Sequence, residues 1–205
     1  MALKTLSLAG LSSLFLTVGA MPALAVSGFA GFYAPGNFTF SSDPPEALNM
    51  GDLDIDNAAT GEVTIFGPDD AFNMLGTTPA SNSWSIMVTP AGAGTISFNW
   101  SFSSALDEVG DDTASYFINS NFFTLATGNG ETQSSSSPVN LNLLAGDTFG
   151  FQVSTATNLG GEGILTINDF NATPVPFESD ALPVLVSMTF LGAGMWAKRR
   201  FSMHK

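Results

Sequence analysis

Between residues 83 and 102 apolar and polar side chains alternate almost one for one. In Thr-Ile-Ser-Phe-Asn-Trp-Ser-Phe (95–102), Ile96, Phe98, Trp100 and Phe102 fall on one side and Thr95, Ser97, Asn99 and Ser101 on the other. A period of two is the signature of a strand with one buried face. The same period runs through 83–89 (Trp84, Ile86, Val88) and 147–154 (Phe149, Phe151, Val153). Shorter runs at 37–40, 62–67, 115–119, 121–126, 139–144 and 163–170 complete about nine predicted strands. Links such as Thr-Pro-Ala-Gly-Ala-Gly, Glu-Val-Gly-Asp-Asp and Asn-Leu-Gly-Gly-Glu-Gly separate them, and Gly, Pro, Asn and Asp are the residues that turns require. The serine run Ser134 to Ser137 reads as a flexible loop. No helical stripe occurs before residue 181.

This pattern predicts an all-β fold, an antiparallel β-sandwich of jelly-roll-like type over residues 26–172. Trp84 and Trp100 alternate with core residues and are expected inside.

Both ends depart from the pattern. Residues 1–25 read as a secretory signal peptide, with Lys4 as the positive start and Leu6 to Ala20 as the apolar stretch. Ala23 and Ala25 form the small-x-small site for signal peptidase. Residues 181–197 carry no charge and, as a helix, would reach about 26 Å, enough for a single transmembrane helix. Lys198, Arg199 and Arg200 follow as the basic end that stops such a span.

Charge sharpens the division. The chain has 18 Asp and Glu against 5 Lys and Arg. All five cations lie at the two ends, whereas all the acids except Glu178 and Asp180, sixteen in number, lie between Val26 and Val175. Phosphate backbones and anionic lipid surfaces are bound through Lys and Arg, so nucleic acid is excluded as a partner of the domain. With no cysteine, disulfides and thiolate metal sites are excluded as well. Stability must come from apolar burial, for which 18 phenylalanines provide material.

The segment ahead of the apolar span adds meaning to it. Pro176, Phe177 and Glu178 stand directly upstream, giving a layout of short motif, apolar span and basic end over residues 173–205. This layout resembles the PEP-CTERM sorting signal of exported bacterial proteins, with Pro-Phe-Glu where that family has Pro-Glu-Pro. The resemblance implies recognition by an exosortase-type transpeptidase, removal of the tail near residues 176–178, and transfer to the cell envelope or extracellular matrix. A sortase signal would need Leu-Pro-x-Thr-Gly, which Leu-Pro-Val-Leu-Val at 182–186 does not supply. The stretch from Asp111 to Phe170 also looks like the β-sandwich domains that PEP-CTERM proteins often carry, a likeness that implies a fold and no activity.

The residues of the domain restrict its chemistry. The one histidine, His204, lies beyond the apolar span. With no His, Lys, Arg or Cys between 26 and 175, a serine nucleophile has no such base beside it and an oxyanion no cationic partner. Two-carboxylate glycoside hydrolysis is the one mechanism the composition permits, with Asp69–Asp70, Asp107–Glu108 and Asp111–Asp112 as pairs. Adjacent acids in Gly-rich links are the usual turn formers, so the domain is read as non-catalytic.

Calcium is the cofactor to weigh, and none is required. Asp52, Asp54 and Asp56 open like an EF-hand loop, but Asn57 replaces the turn glycine and Val63 the bidentate glutamate. Leu53 and Ile55 instead suggest an edge strand with its acids facing water. Asp69, Asp70, Asp111 and Asp112 are the calcium candidates, against the plain alternative of a solvated acidic surface. For sugar recognition, Phe32, Tyr33 and Tyr116 are the candidate exposed aromatics.

Three readings follow. The first is a non-catalytic exported protein of the envelope or exopolysaccharide matrix. The second is a calcium-dependent carbohydrate-binding or adhesion module holding extracellular polysaccharide. The third is an unprocessed tail-anchored surface protein.

Overall fold

The computed structural model describes residues 25–45, 51–69, 78–104, 111–128, 130–157 and 161–175. The signal segment through residue 24, Asp70, Asp107, Glu108, the motif at 176–178, the span at 181–197 and the basic end at 198–200 lie outside the described residues. Among the described residues no helix is long and apolar enough to cross a membrane.

Twelve strands occur in the described chain: β1 Val26–Ser27, β2 Thr39–Asp43, β3 Leu53–Asp54, β4 Val63–Phe66, β5 Ala80–Met87, β6 Gly94–Ser103, β7 Asp112–Ile118, β8 Asn121–Thr127, β9 Gln133–Ser134, β10 Val139–Leu143, β11 Thr148–Thr155 and β12 Ile164–Pro174. They form two antiparallel sheets. One has the order β10-β6-β12-β4-β3, with β1 also on β12 and β9 also on β6; the other has the order β2-β5-β11-β7-β8. Strands β4, β5, β6 and β7 alternate between the sheets, so most neighbours within a sheet are distant in sequence.

The alternation read from the sequence decides what lies between the sheets. Ile96, Phe98 and Phe102 from β6, Leu165 and Ile167 from β12, and Phe149, Phe151 and Val153 from β11 are all buried to within 1%. Removing each such side chain from water stabilises the fold by about 1.5–3 kcal/mol. Phe98 and Phe151 meet edge to face at 5.1 Å across the interior. A second aromatic group closes one end, where Phe29 stacks on Phe170 at 4.2 Å and Phe38 on Trp84 at 3.9 Å.

Several boundaries differ from the sequence pattern, each for a local reason. The strand expected at 37–40 begins only at Thr39, because Pro35–Asn37 forms a 3-10 turn with proline at its start. The Asn37 amide fastens that turn, donating to the carbonyls of Phe32 (2.9 Å) and Gly31 (3.3 Å). Strand β12 runs past 170 to Pro174, which extends the sandwich beyond residue 172. Its phase changes at a bulge between Asn168 and Asn171, where Asp169 takes φ 52°. Leu165 and Ile167 point inward before the bulge, Phe170 and Ala172 after it. The last tie of the described chain is the Val175 N–H to the Ala93 carbonyl at 2.8 Å.

The serine run is more ordered than a flexible loop. Gln133–Ser134 pairs with β6, and Ser135 both donates from its N–H to the Trp100 carbonyl and accepts the Trp100 N–H on Oγ. Trp100, expected in the core, is only half-buried beside this strand. Trp84 is buried as the pattern predicts.

Candidate functional site

Registers across the five-stranded sheet place its outward side chains in rows. One row runs Thr39, Ser85, Gly150, Phe117, Phe122 from β2 to β8. The next runs Ser41, Ser83, Gln152, Ser115, Thr124, and the third Asp43, Ser81, Ser154, Thr113, Thr127. Hydroxyl groups dominate this face, because the polar half of each alternating strand points to the same side.

Gln152 occupies the centre, on the middle strand of the middle row. It is half-buried between Ser83 and Ser115, and among the described residues its amide has no hydrogen-bond partner. An amide so placed offers two donors and an acceptor to whatever lies on the face.

An aromatic plate adjoins it. A Cβ built on Gly150 would come within 2.6 Å of Phe117 Cζ, so the phenyl ring occupies the space that glycine leaves open. Phe117 is itself buried at 8% exposure, and Phe122 beside it, with ring centroids 5.1 Å apart, remains 54% exposed and supplies the accessible ring of the plate. Carbon-rich ring faces next to neutral donors and acceptors are the combination that polar ligands with an apolar face need.

Two depressions lie on the same sheet, both open to solvent. One, of about 410 Å³, is bounded by Asp43, Ser81, Asp111, Thr113, Gln152 and Ser154 with neighbouring backbone. The other, of about 530 Å³, lies toward the opposite end of β5 and is bounded by Phe32, Asn37, Thr39, Ser85, Met87 and Thr148 among others.

The aromatics expected on the surface are differently disposed. Tyr33 is buried, its hydroxyl donating to the Gly92 carbonyl at 2.8 Å, and burial pushes its pKa up to about 12. Tyr116 points inward, edge-on to Phe98 and stacked on Phe123 at 4.8 Å; burial raises its pKa too. Phe32 borders the second depression. Phe122 was missed beside Phe123 in Asn-Phe-Phe-Thr-Leu-Ala, and Phe117 beside Tyr116 in Ser-Tyr-Phe-Ile-Asn. Either aromatic of that pair suits the core, and only the pairing of Tyr116 with Phe151 fixes which one turns inward.

The acids divide by position. Asp52, Asp54 and Asp56 are exposed on the β3 edge as predicted, and two of them bond nearby backbone: Asp52 Oδ1 accepts from Leu53 N–H (2.7 Å) and Asp54 Oδ1 from Asp56 N–H (2.9 Å). Asp69 is half-buried, and the carboxyl of Glu162 is held above its usual range by burial first, then by the charges of Asp69 and Asp52. Asp111 accepts hydrogen bonds from Thr157 (2.5 Å) and Thr155 (3.5 Å) at the rim of the first depression. Asp112 is fully buried and its carbonyl accepts the Gly128 N–H. Among the described residues no three Asp, Glu or His side chains come together as a metal site.

No family model matches the chain, and no curated protein matches it. Its similarities are to solved sandwiches. One is a family 61 carbohydrate-binding module in complex with β-1,4-galactotriose, at 14% identity over 69% of this chain and 92% of that one, TM-score 0.35. Another is a family 35 carbohydrate-binding module from Clostridium thermocellum, at 14% identity over 71% and 98%, TM-score 0.34. A third is the N-terminal cellulose-binding domain of a Cellulomonas fimi β-1,4-glucanase, at 11% identity over 70% and 93%, TM-score 0.33. Overlaps this loose decide nothing about the ligand of this chain.

Proposed function

We propose that this protein is a non-catalytic carbohydrate-binding sandwich and that the outer face of its five-stranded sheet holds the sugar. The observation that carries the reading is the pairing of Gln152, central and without an internal partner, with the Phe117–Phe122 plate beside it. Sugars present hydroxyls at their edges and C–H groups on their ring faces. A surface of serine and threonine hydroxyls, one free amide and the exposed Phe122 ring seated on Phe117 answers both. The described residues supply no histidine, lysine, arginine or cysteine to drive chemistry on what is bound.

The tail completes the reading. Its likeness to the PEP-CTERM signal supports export by signal peptidase, release or transfer by an exosortase-type enzyme, and residence in the envelope or its polysaccharide matrix. A sugar-binding domain delivered there would hold the protein to the matrix. Calcium is not needed at the proposed face, whose polar groups among the described residues are neutral apart from Asp43 and Asp111 at one end.

Affinity electrophoresis of the purified protein through gels containing soluble polysaccharides tests the binding face. Retardation by at least one polysaccharide is expected, with loss of retardation in Gln152→Ala and in Phe122→Ala, whose ring is exposed, at unchanged Tm. Retardation that survives both substitutions would move the site elsewhere. Intact mass of the protein from its source tests the tail: retention of 179–205 would rule out transpeptidation.

A further inference from the structure

The carbohydrate-binding reading leaves two properties of the ligand unassigned: its charge, and whether it is gripped at its end or along its length. Resting on that reading, we infer that the face takes an internal stretch of an uncharged polysaccharide, lying along β5 and β11.

Charge is decided by what surrounds the groove. No lysine or arginine occurs between residues 26 and 175, where sixteen carboxylates do. Ser83, Ser85, Ser154 and Gln152 present neutral groups, and among the described residues the acidic side chains bordering the depression at one end are Asp43 and Asp111. A uronate or sulfate ester laid there would lose water without gaining a cation, and would face both carboxylates well inside the ~8 Å screening length of physiological salt. A neutral sugar meets neither cost.

Path is decided by the line of the two depressions. They lie toward opposite ends of β5, one beside Ser81 and the other beside Met87, with Ser83 between them and Gln152 at the edge of the first. At about 3.4 Å per residue the distance from Ser81 to Met87 is about 20 Å. Both depressions are open to solvent. A ligand on this course can leave the face at either end, whereas recognition of a chain terminus needs a pocket that stops it.

The experiment combines affinity gels with calorimetry on the purified protein. Neutral polymers (β-glucan, galactan, glucomannan) are run beside polygalacturonate and alginate, each with millimolar calcium and with chelator. The expected result is retardation by a neutral polymer and by no acidic one, with Gln152→Ala weakening it about tenfold. Affinity for matching oligosaccharides should rise with length until they span about 20 Å, and should not change when the reducing end is converted to an alditol. Retardation by an acidic polymer that disappears in Gln152→Ala would overturn the neutral assignment while leaving the binding face standing. Affinity abolished by reduction of the chain end would overturn the internal mode in the same way. Failure of every polymer, neutral and acidic, would remove the carbohydrate-binding reading itself.

Discussion

The ring of Phe117 lies over Gly150 on the adjoining strand, and a Cβ at 150 would approach its Cζ to 2.6 Å, Ser85 Cβ to 2.7 Å and the Trp84 carbonyl to 2.7 Å. The glycine is therefore a recess in the sheet that an aromatic side chain fills, and it links the stability of the face to its binding. Gly150→Ala should displace Phe117 and lower stability by about 1–3 kcal/mol, the usual cost of overpacking. Denaturant unfolding measures the first effect and polysaccharide affinity the second. A variant with wild-type values of both would show that the ring is free to move without consequence.

Tyr33 makes stability depend on pH in the alkaline range. Burial raises its pKa to about 12, above the value of 10 for a free phenol. A group whose folded pKa is raised contributes fully below the unfolded value and loses that contribution as pH rises through the folded one. Stability should therefore fall between about pH 10 and pH 12, by about 2–3 kcal/mol from this residue. Tyr33→Phe should flatten that part of the profile, at a cost of about 1–2 kcal/mol at neutral pH from the Gly92 carbonyl left without its donor.

Asp147 acts in the opposite direction. The Leu144 N–H and the Asn119 amide hold its carboxyl below the usual range. Its contribution is present above the free value, about 4, and is lost as pH falls through the lowered one. Asp147→Asn should weaken the acid-side slope of stability and loosen the tie between the β10–β11 turn and the β7–β8 hairpin. Amide exchange at Thr148, whose N–H donates to Asn119 at 2.9 Å, reports that loosening.

Phe170 is the inward residue that follows the β12 bulge, stacked on Phe29 and edge-on to Tyr33 at 5.4 Å. Phe170→Ala should cost about 3–5 kcal/mol, as for other buried phenylalanines. Calorimetric Tm measures it. A loss under 1 kcal/mol would mean that β1 and the adjoining 3-10 turn collapse into the gap.

Asp43 is exposed at the β2 edge of the groove. If charge excludes acidic polysaccharides, Asp43→Lys should create affinity for polygalacturonate where the unaltered protein has none. The gain should fade as salt is raised. Affinity gels at low and high salt show both.

Much of the fold is legible in single strands. Strands β5, β6 and β11 follow from their period of two, because alternation along an extended chain needs no tertiary information. Strands β1 and β9 were not legible: two residues carry no period, and each exists only because a long neighbour offers unpaired backbone, β12 to Val26–Ser27 and β6 to Gln133–Ser134. The change of phase at Asp169 was equally hidden, since a left-handed residue in mid-strand leaves no mark in the pattern. The proposed binding face was visible only in parts. The inward partners on its strands, Trp84, Ile86, Phe149, Phe151 and Val153, were read from the alternation, but Gln152 had no feature to distinguish it from any other polar residue of β11.

By itself the sequence determined that the domain is built from strands, that its core is aromatic and aliphatic, and that it carries acids without cations. These are properties of composition and of spacing along one strand. The tertiary structure alone decided which polar positions share a surface, that Tyr116 turns in while Phe117 turns out, and that Gln152 stands at the centre. Those facts depend on register between strands as far apart in sequence as β2 and β11. Register is set by how two buried faces pack together, and no single strand contains that information.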